Sequence, residues 1–118
     1  MKQVDIVIIG AGPIGLSAAI GFLQKGLSVV VVEKNARKTP VEDGRGYALS
    51  YGTTSFLNQI RVWSDLKSKA SPIKSIEVAE KGSSQKLHFD SSDYPQEAMG
   101  YLVESHLLNA SLQKAASE

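Results

Sequence analysis

A glycine-rich turn directly after an apolar run is the feature that most constrains the fold of this chain. Residues 4–9 are valine or isoleucine except for Asp5, and Gly10, Gly12 and Gly15 follow within six positions. A short apolar, β-branched run of this kind is typical of a strand buried on both faces. Glycines contribute little to a core, so their spacing suggests that the backbone here must bend tightly or approach something closely.

The pattern after the turn predicts a helix and a second strand. Pro13 suits a first helical position, and Gly26 suits a helix end. Between them, apolar residues recur at a spacing of three to four, which predicts a buried stripe of Ile14, Ala18 and Phe22, widened by Ile20 and Leu23. Residues 28–33 contain "VVVV" and predict another buried strand. The first 33 residues therefore predict a strand–helix–strand unit with parallel strands and a right-handed crossover.

The three glycines have distinct expected roles in such a unit. Gly10 permits the tight bend out of the strand, Gly12 leaves room for a ligand's pyrophosphate beside the backbone, and Gly15 lets the helix lie close to the strand. The start of the helix offers free N–H groups and the positive end of its dipole to phosphate oxygens. The turn therefore predicts a pyrophosphate site.

An acidic residue at the end of the second predicted strand makes this signal more specific. A lone GxGxxG pattern is weak, but Glu33 follows Gly15 with seventeen residues between them, where its carboxylate can accept hydrogen bonds from the hydroxyls of a ribose. We therefore predict an adenine dinucleotide as the ligand. The turn and Glu33 do not distinguish FAD from NAD. The alternative is a structural unit with coincidental glycines and a solvated Glu33.

The remaining chain predicts one long helix, a hairpin and a last strand–helix pair. Residues 34–46 are a polar loop, and residues 52–69 predict a helix that ends before Pro72, with its apolar side formed by Phe56, Leu57, Ile60, Trp63 and Leu66. We interpret the region of Trp63 as core. Residues 73–79 and 86–89 alternate at period two around turn residues and predict a hairpin. Residues 100–105 predict a strand leading into a helix that carries Leu108, Leu112 and Ala115.

Composition excludes several classes of function. The chain has no cysteine and only two histidines, so disulfides, thiolate chemistry and a histidine-rich metal site are excluded. His88 is expected to face solvent, and His106 to lie in a first helical turn. The net charge of +1 provides no basic face for nucleic acid, which is not an expected partner. Asp5 interrupts the N-terminal apolar run, which argues against a signal peptide and favours a mature, cytoplasmic N-terminus.

Three stretches of the sequence resemble a known protein family. "DIVIIGAGPIGLSAAIGFLQKGLSVVVVEK" resembles the FAD-binding start of flavoprotein monooxygenases. "DGRGYALS" at residues 43–50, followed by a helix, a Trp, an Ala-x-Pro-Ile and a hairpin, is similar to the aromatic hydroxylases of ubiquinone biosynthesis, of the 2-octaprenyl-6-methoxyphenol hydroxylase type. "EAMGYLVESHLLNASL" continues the resemblance, which covers essentially the whole chain.

The resemblance implies a cofactor, a reaction and a set of site residues. NAD(P)H reduces FAD, the reduced flavin reacts with O2, and an electron-rich prenylated phenol, a quinone precursor, is hydroxylated. Arg45 matches an arginine that reaches the flavin side, and Glu104 falls at a strand-to-helix position near the ribityl and ring portion. The alternatives are a surface ion pair of Arg45 with Asp43, and an acid serving the helix dipole for Glu104. The expected cofactor-binding residues are Gly10, Ala11, Gly12, Pro13, Ile14, Gly15, Glu33, Lys34, Arg45 and Glu104.

Members of that family are several hundred residues long and carry a downstream Gly-Asp motif and a mid-chain Asp-Gly motif that are absent here. We therefore expect an α/β fold comprising an FAD-binding segment (residues 1–72), a hairpin starting a substrate-domain sheet (73–98) and a return strand and helix of the FAD-binding domain (99–118). We expect this to be the N-terminal part of the enzyme, inactive alone. Quinone-biosynthesis enzymes at a membrane surface are further expected partners, with peripheral membrane association. A non-catalytic dinucleotide-binding module and the start of an NAD-binding dehydrogenase remain rival functions.

Overall fold

The computed structural model describes residues 2–35 and 40–117. It is an α/β structure, as predicted. The strands are β1 (Ile6–Ile9), β2 (Val29–Val32), β3 (Gly46–Ser50), β4 (Ser71–Ile73), β5 (Ser75–Ala79), β6 (Lys86–Asp90) and β7 (Gly100–Glu104). The helices are α1 (Pro13–Gln24), α2 (Tyr51–Gln59), α3 (Trp63–Leu66) and α4 (Ser105–Ser117), with short 3-10 turns at Lys67–Lys69 and Ser91–Asp93. Part of the predicted 34–46 loop, residues 36–39, lies outside the described residues.

The predicted strand–helix–strand unit is confirmed. β1 and β2 pair in parallel, from Ile6 opposite Val29 to Ile9 opposite Val32. Just before the paired segment, the Asp5 carboxylate accepts hydrogen bonds from the Ser28 backbone N–H (2.8 Å) and hydroxyl (3.0 Å), which ties the two strand starts together. α1 begins at Pro13, and Gly26 follows its end with a φ of +84°.

The prediction that both strands are buried on two faces is wrong. α1 packs on the face that carries Ile8, whereas the alternate face is open, with Ile9 88% exposed. Burial of a parallel sheet on both faces requires a layer on each side, and the described residues cover one face.

The predicted apolar stripe of α1 is also wrong in part. Ile14, Phe22 and Leu23 are exposed, and Ala18 is half-buried. Ile20 is buried as predicted, together with Leu16 and Ala19, which were not predicted. α1 is apolar nearly all round, so its periodicity could not identify the face that packs.

A second sheet, with strand order β3–β7–β4, was not predicted as such. β7 lies in the middle and pairs antiparallel with both neighbours, Gly46 opposite Glu104 and Ile73 opposite Gly100. β3 was not recognised because its partner lies more than fifty residues away along the chain. Pro72 lies in β4, at the edge of the sheet, where a missing N–H is tolerated.

The single helix predicted for residues 52–69 is wrong, because the chain breaks at Arg61. Arg61 has a φ of +65°. Its N–H donates to the Asn58 carbonyl (3.0 Å), and the N–H of Val62 donates to the Leu57 carbonyl (2.9 Å). This is a Schellman ending, which usually places glycine at the left-handed position. α1 ends in the same way with Gly26 at the left-handed position. A glycine in the sequence therefore indicates the end of α1, whereas Arg61 gives no such indication for the end of α2.

The core forms where α1, α3 and α4 meet beside β7. The Trp63 region is core, as predicted, and the Trp63 and Tyr101 rings pack edge to face with centroids 5.0 Å apart. The last strand and helix are confirmed, with Leu108 and Leu112 buried. The buried apolar cluster comprises Leu16, Ile20, Leu57, Ile60, Val62, Trp63, Leu66, Val103, Leu108 and Leu112.

The predicted hairpin is confirmed as β5 and β6, although the predicted first strand, residues 73–79, is divided at Lys74 between β4 and β5. Ile76 lies opposite Phe89 and Val78 opposite Leu87, and all four side chains are exposed. The Cα radius of gyration is 17.3 Å, against about 13.5 Å for a compact domain of this length. The chain is therefore elongated. Within residues 2–35 and 40–117, none of the helices combines the length and hydropathy needed to cross a membrane.

The break at Arg61 gives a stability prediction. Arg61→Gly should raise the free energy of unfolding by about 0.5–1 kcal/mol, because relief of left-handed strain outweighs the added chain entropy of glycine. Arg61→Ala, which keeps the strain, is the matched control. Urea unfolding of the three proteins measures the effect, and equal stabilities of the Gly and Ala variants would contradict it.

Candidate dinucleotide-binding site

The glycine turn begins at the carboxyl end of β1. The Gly10 N–H donates to the Val32 carbonyl at 2.7 Å, which joins the turn to the end of β2. Gly10 has a φ of +107°, a conformation that L side chains rarely adopt. The sharp bend predicted at this glycine is therefore present.

Gly12 caps the N-terminus of α1 without a structural reason to be glycine. Its φ of −80° and ψ of −173° suit any residue, and an added Cβ would meet nothing within 4 Å. No side chain in the described residues caps the helix, and the first intrahelical bond runs from the Leu16 N–H to the Gly12 carbonyl (2.9 Å). The N–H groups of Ile14 and Gly15 thus precede the helical ladder. Open space beside free N–H groups is what an approaching phosphate requires.

Gly15 has a different role, within the fold itself. A Cβ at Gly15 would collide with the carbonyl oxygen of Gly10 and lie 3.4 Å from Ile8 Cγ2. This is the close approach of helix and strand that the sequence predicted for this position.

Glu33 lies directly after β2 and reaches back to the turn. Its Oε1 accepts a hydrogen bond from the Ala11 N–H at 3.0 Å, and its Oε2 accepts one from the Asn35 N–H at 3.1 Å. These N–H groups, that of Ala11 first, hold the pKa of the Glu33 carboxyl below its ordinary value. The side chain is exposed and ionised at neutral pH, and a carboxylate offers about four acceptor positions. Positions therefore remain for a second set of donors, such as the hydroxyls of a ribose.

The other predicted residues of this half lie beside the same turn. Ala11 uses its N–H for Glu33 and packs its methyl group against the core. Pro13 occupies the first turn of α1, where Ile14 extends its side chain away from the protein, 88% exposed. Lys34 follows Glu33 and is exposed.

Arg45 and Glu104 form a second group, brought together by the unpredicted strand β3. Gly46 pairs with Glu104, and the Ser105 N–H donates to the Arg45 carbonyl at 2.9 Å. Glu104 is exposed at the end of β7, immediately before α4, as predicted. The Arg45 Nε donates to Asp43 Oδ2 at 2.7 Å, so the ion pair weighed as an alternative for Arg45 is present. The Arg45 backbone N–H, and then its side chain, lowers the pKa of Asp43.

The two histidines lie on β6 and α4. His88 is exposed, as predicted, with Nε2 3.8 Å from Asp90 Oδ2. His106 lies in the first turn of α4, also as predicted. In the described part of the chain, no three His, Asp or Glu side chains are grouped closely enough to hold a metal ion.

Comparison with known proteins shows the family to which the chain belongs. The family model of the FAD binding domain matches residues 3–117. The chain is 33% identical over 114 residues to the ubiquinone hydroxylase UbiL of Rhodospirillum rubrum, a match that covers 94% of this chain and 26% of the relative. It is 29% identical to the 3-demethoxyubiquinol 3-hydroxylase of Escherichia coli, covering 97% of this chain and 30% of the relative.

The fold agrees with solved structures. The anhydrotetracycline hydroxylase OxyS of Streptomyces rimosus superposes with a TM-score of 0.77 at 22% identity, over 98% of this chain and 23% of OxyS. At this identity the likeness establishes the fold. The chain spans between a quarter and a third of the length of the curated relatives described above.

The position of Glu33 gives a pH prediction. A carboxyl whose folded pKa is depressed stabilises the fold above its unfolded pKa, and this stabilisation is lost as the pH falls through the folded pKa. Wild type should therefore exceed Glu33→Gln in free energy of unfolding at pH 7, and the difference should shrink as the pH falls below the ordinary range of glutamate. Urea unfolding between pH 7 and pH 3 measures it.

Glu80→Gln is the control, because the exposed Glu80 carboxylate accepts no hydrogen bond in the described residues. The pKa values of Asp5 and Asp90 are also lowered, chiefly by the backbone N–H groups of Ser28 and Ser92. Asp5 and Asp90 are present in wild type and in both variants, so their contributions to the free energy of unfolding cancel in the comparison. A difference between wild type and Glu33→Gln that stays constant with pH would contradict the assignment.

Proposed function

The chain belongs to the family of FAD-binding domains, and we propose that it forms the FAD-binding part of a monooxygenase that hydroxylates a prenylated phenol, a precursor of ubiquinone. The observation that carries the proposal is the hydrogen bond between Glu33 and the Ala11 N–H. It sets an acceptor suited to ribose hydroxyls beside the donors suited to a pyrophosphate. The names of the two ubiquinone-related relatives support the reaction and the substrate class.

The residues of the glycine turn fit FAD. The space beside Gly12, which a Cβ would enter without touching the protein, leaves room for a phosphate at the start of α1. The N–H groups of Ile14 and Gly15 would donate to its oxygens, and Glu33 would accept from the adenosine ribose. Lys34 is exposed and adds a positive charge next to Glu33 along the chain. This half of the site is held by the ends of β1 and β2.

Arg45 and Glu104 are assigned to the flavin half. FAD bound there would supply the redox chemistry between NAD(P)H and O2. Arg45 would contribute a fixed cation with N–H donors, and Glu104 an acceptor at the junction of β7 and α4. The Arg45 side chain is 82% exposed in this structure. We therefore assign water exclusion and substrate binding to other parts of a longer enzyme, and expect the 118-residue chain alone to be inactive.

The segments have corresponding proposed roles. Residues 1–72 form the FAD-binding segment, residues 73–98 begin a substrate-covering sheet, and residues 99–118 return to the FAD-binding domain. The exposed apolar side chains of β5 and β6 support the second assignment, because they leave an apolar face for further sheet or substrate. A prenylated substrate resides in a membrane, so we propose peripheral association with a membrane surface and with other enzymes of quinone biosynthesis.

The test is to purify the product of the complete gene and identify its flavin. We expect a yellow protein that releases FAD rather than FMN, because Glu33 requires an adenosine ribose. It should oxidise NADH or NADPH in the presence of a prenylated phenol and form the hydroxylated product. A colourless protein that cannot be reconstituted with FAD, yet binds NAD, would overturn the proposal in favour of a dehydrogenase.

Gly12→Val in the same protein tests the site itself. The isopropyl group would fill the space beside the turn and abolish FAD retention while leaving the fold largely intact, since a Cβ at this position meets nothing within 4 Å. Gly52→Val is the matched control, because Gly52 also lacks a positive φ and its nearest neighbour to an added Cβ is Ser50 Oγ at 3.9 Å. Normal flavin content in Gly12→Val would show that the turn does not hold the pyrophosphate.

A further inference from the structure

We propose that Asp43 is a positioning residue that fixes the guanidinium of Arg45 for the flavin half of the site. The proposal deepens the proposed function and depends on it. Asp43 is not among the cofactor-binding residues predicted from the sequence, where it is the first residue of the segment 43–50 and a candidate surface partner of Arg45. Its contacts reach three parts of the fold: the backbone of its own loop, the side chain of Arg45, and the start of α4.

The first contact shapes the loop. Asp43 Oδ1 accepts a hydrogen bond from the Arg45 backbone N–H at 3.0 Å, two residues along the chain, which closes an Asx turn. Gly44, inside this turn, has a φ of +78°. The turn therefore fixes the direction in which the Arg45 side chain leaves the backbone.

The second contact fixes the guanidinium. Asp43 Oδ2 accepts from Arg45 Nε at 2.7 Å, a charge-assisted bond. A guanidinium is planar and carries five N–H donors. With Nε engaged by Asp43, the N–H groups on the two Nη atoms have no hydrogen-bond partner within residues 2–35 and 40–117. They are the donors left for a ligand.

The third contact anchors the pair to the β7–α4 junction. The Ser105 N–H donates to the Arg45 carbonyl at 2.9 Å, and the Ser105 hydroxyl makes a long contact of 3.5 Å with Asp43 Oδ1. Ser105 is buried and follows Glu104 directly. Asp43 thus links the loop that carries Arg45 to the element that carries Glu104, the other residue assigned to the flavin half.

The physical effect of Asp43 is preorganisation. An arginine side chain that is 82% exposed would otherwise sample many rotamers, and a ligand would lose affinity in ordering it. Asp43 restrains that side chain before the ligand arrives. Removal of the Asp43 carboxylate should keep the positive charge of Arg45 but lose the fixed orientation of its guanidinium.

Asp43→Asn separates orientation from folding. An asparagine oxygen can still close the Asx turn, so the loop should keep its shape, but the charge-assisted bond to Nε is lost. In the product of the complete gene, we expect this variant to weaken FAD binding about 2- to 12-fold, the range for ordering one flexible side chain. FAD fluorescence quenching gives the Kd, and thermal unfolding checks the fold.

A double-variant cycle shows whether the effect passes through Arg45. Asp43→Asn combined with Arg45→Met should bind FAD no more weakly than Arg45→Met alone, within about twofold, because residues in one hydrogen-bonded network are not additive. Glu42→Gln is the control for loss of a neighbouring negative charge, and its Kd should match wild type. In the 118-residue chain without ligand, the NMR signal of Arg45 Nε–H should be protected from exchange in wild type and lost in Asp43→Asn.

The outcomes separate this proposal from the function on which it rests. If wild type fails to bind FAD, the proposed function fails and the positioning role falls with it. If wild type binds FAD but the effects of the two substitutions on Kd multiply in the double variant, the proposed function stands and the positioning role is wrong. The same conclusion follows if Asp43→Asn matches wild type both in Kd and in Arg45 Nε–H exchange.

Discussion

The hydrogen bond from the Ala11 N–H to the Glu33 carboxylate is the contact on which the site depends. It joins the end of β2 to the glycine turn, next to the bond from the Gly10 N–H to the Val32 carbonyl. The two bonds tie the ends of both parallel strands to the turn. A side chain suited to a ribose is thereby held beside N–H groups suited to a pyrophosphate. A ligand that carries both groups meets a site already formed, which reduces the ordering cost of binding.

The parts of this fold that the sequence could predict are those whose causes are local. The strand–helix–strand unit and the β5–β6 hairpin join neighbouring segments, and Gly26 marks a helix end with the residue that a left-handed position favours. The end of α2 has the same geometry but carries Arg61, so no local signal was available. β3 is stabilised by β7, a partner more than fifty residues away, and tertiary pairing of this kind is invisible to periodicity. The buried face of α1 was misassigned for a related reason, since a helix that is apolar all round takes its orientation from its neighbours.

The candidate site also has a part with local causes in the sequence and a part without them. Its proposed adenosine half follows from three glycines and one glutamate at fixed spacing, each with a physical reason. Its proposed flavin half depends on resemblance, and the structure adds two contacts that the pattern could not show: β3 brings Arg45 beside Glu104, and Asp43 binds the Arg45 side chain. The open face of β1 and β2 and the exposed hairpin are consistent with a segment that meets other parts of a larger protein. The chain covers about a quarter of UbiL and 30% of the Escherichia coli hydroxylase.

Titration of ADP into the isotopically labelled 118-residue chain tests whether the glycine turn and Glu33 form the adenosine half of an FAD site. ADP carries the adenosine and pyrophosphate of FAD without its flavin. We expect the amide NMR signals of Gly12, Ile14, Gly15 and Glu33 to shift together along one saturable binding curve, while those of β5 and β6 stay in place. Glu33→Gln should raise the Kd for ADP. Shifts confined to the groove that Phe22 of α1 and Phe56 of α2 line, or no shifts at saturating ADP, would contradict the assignment.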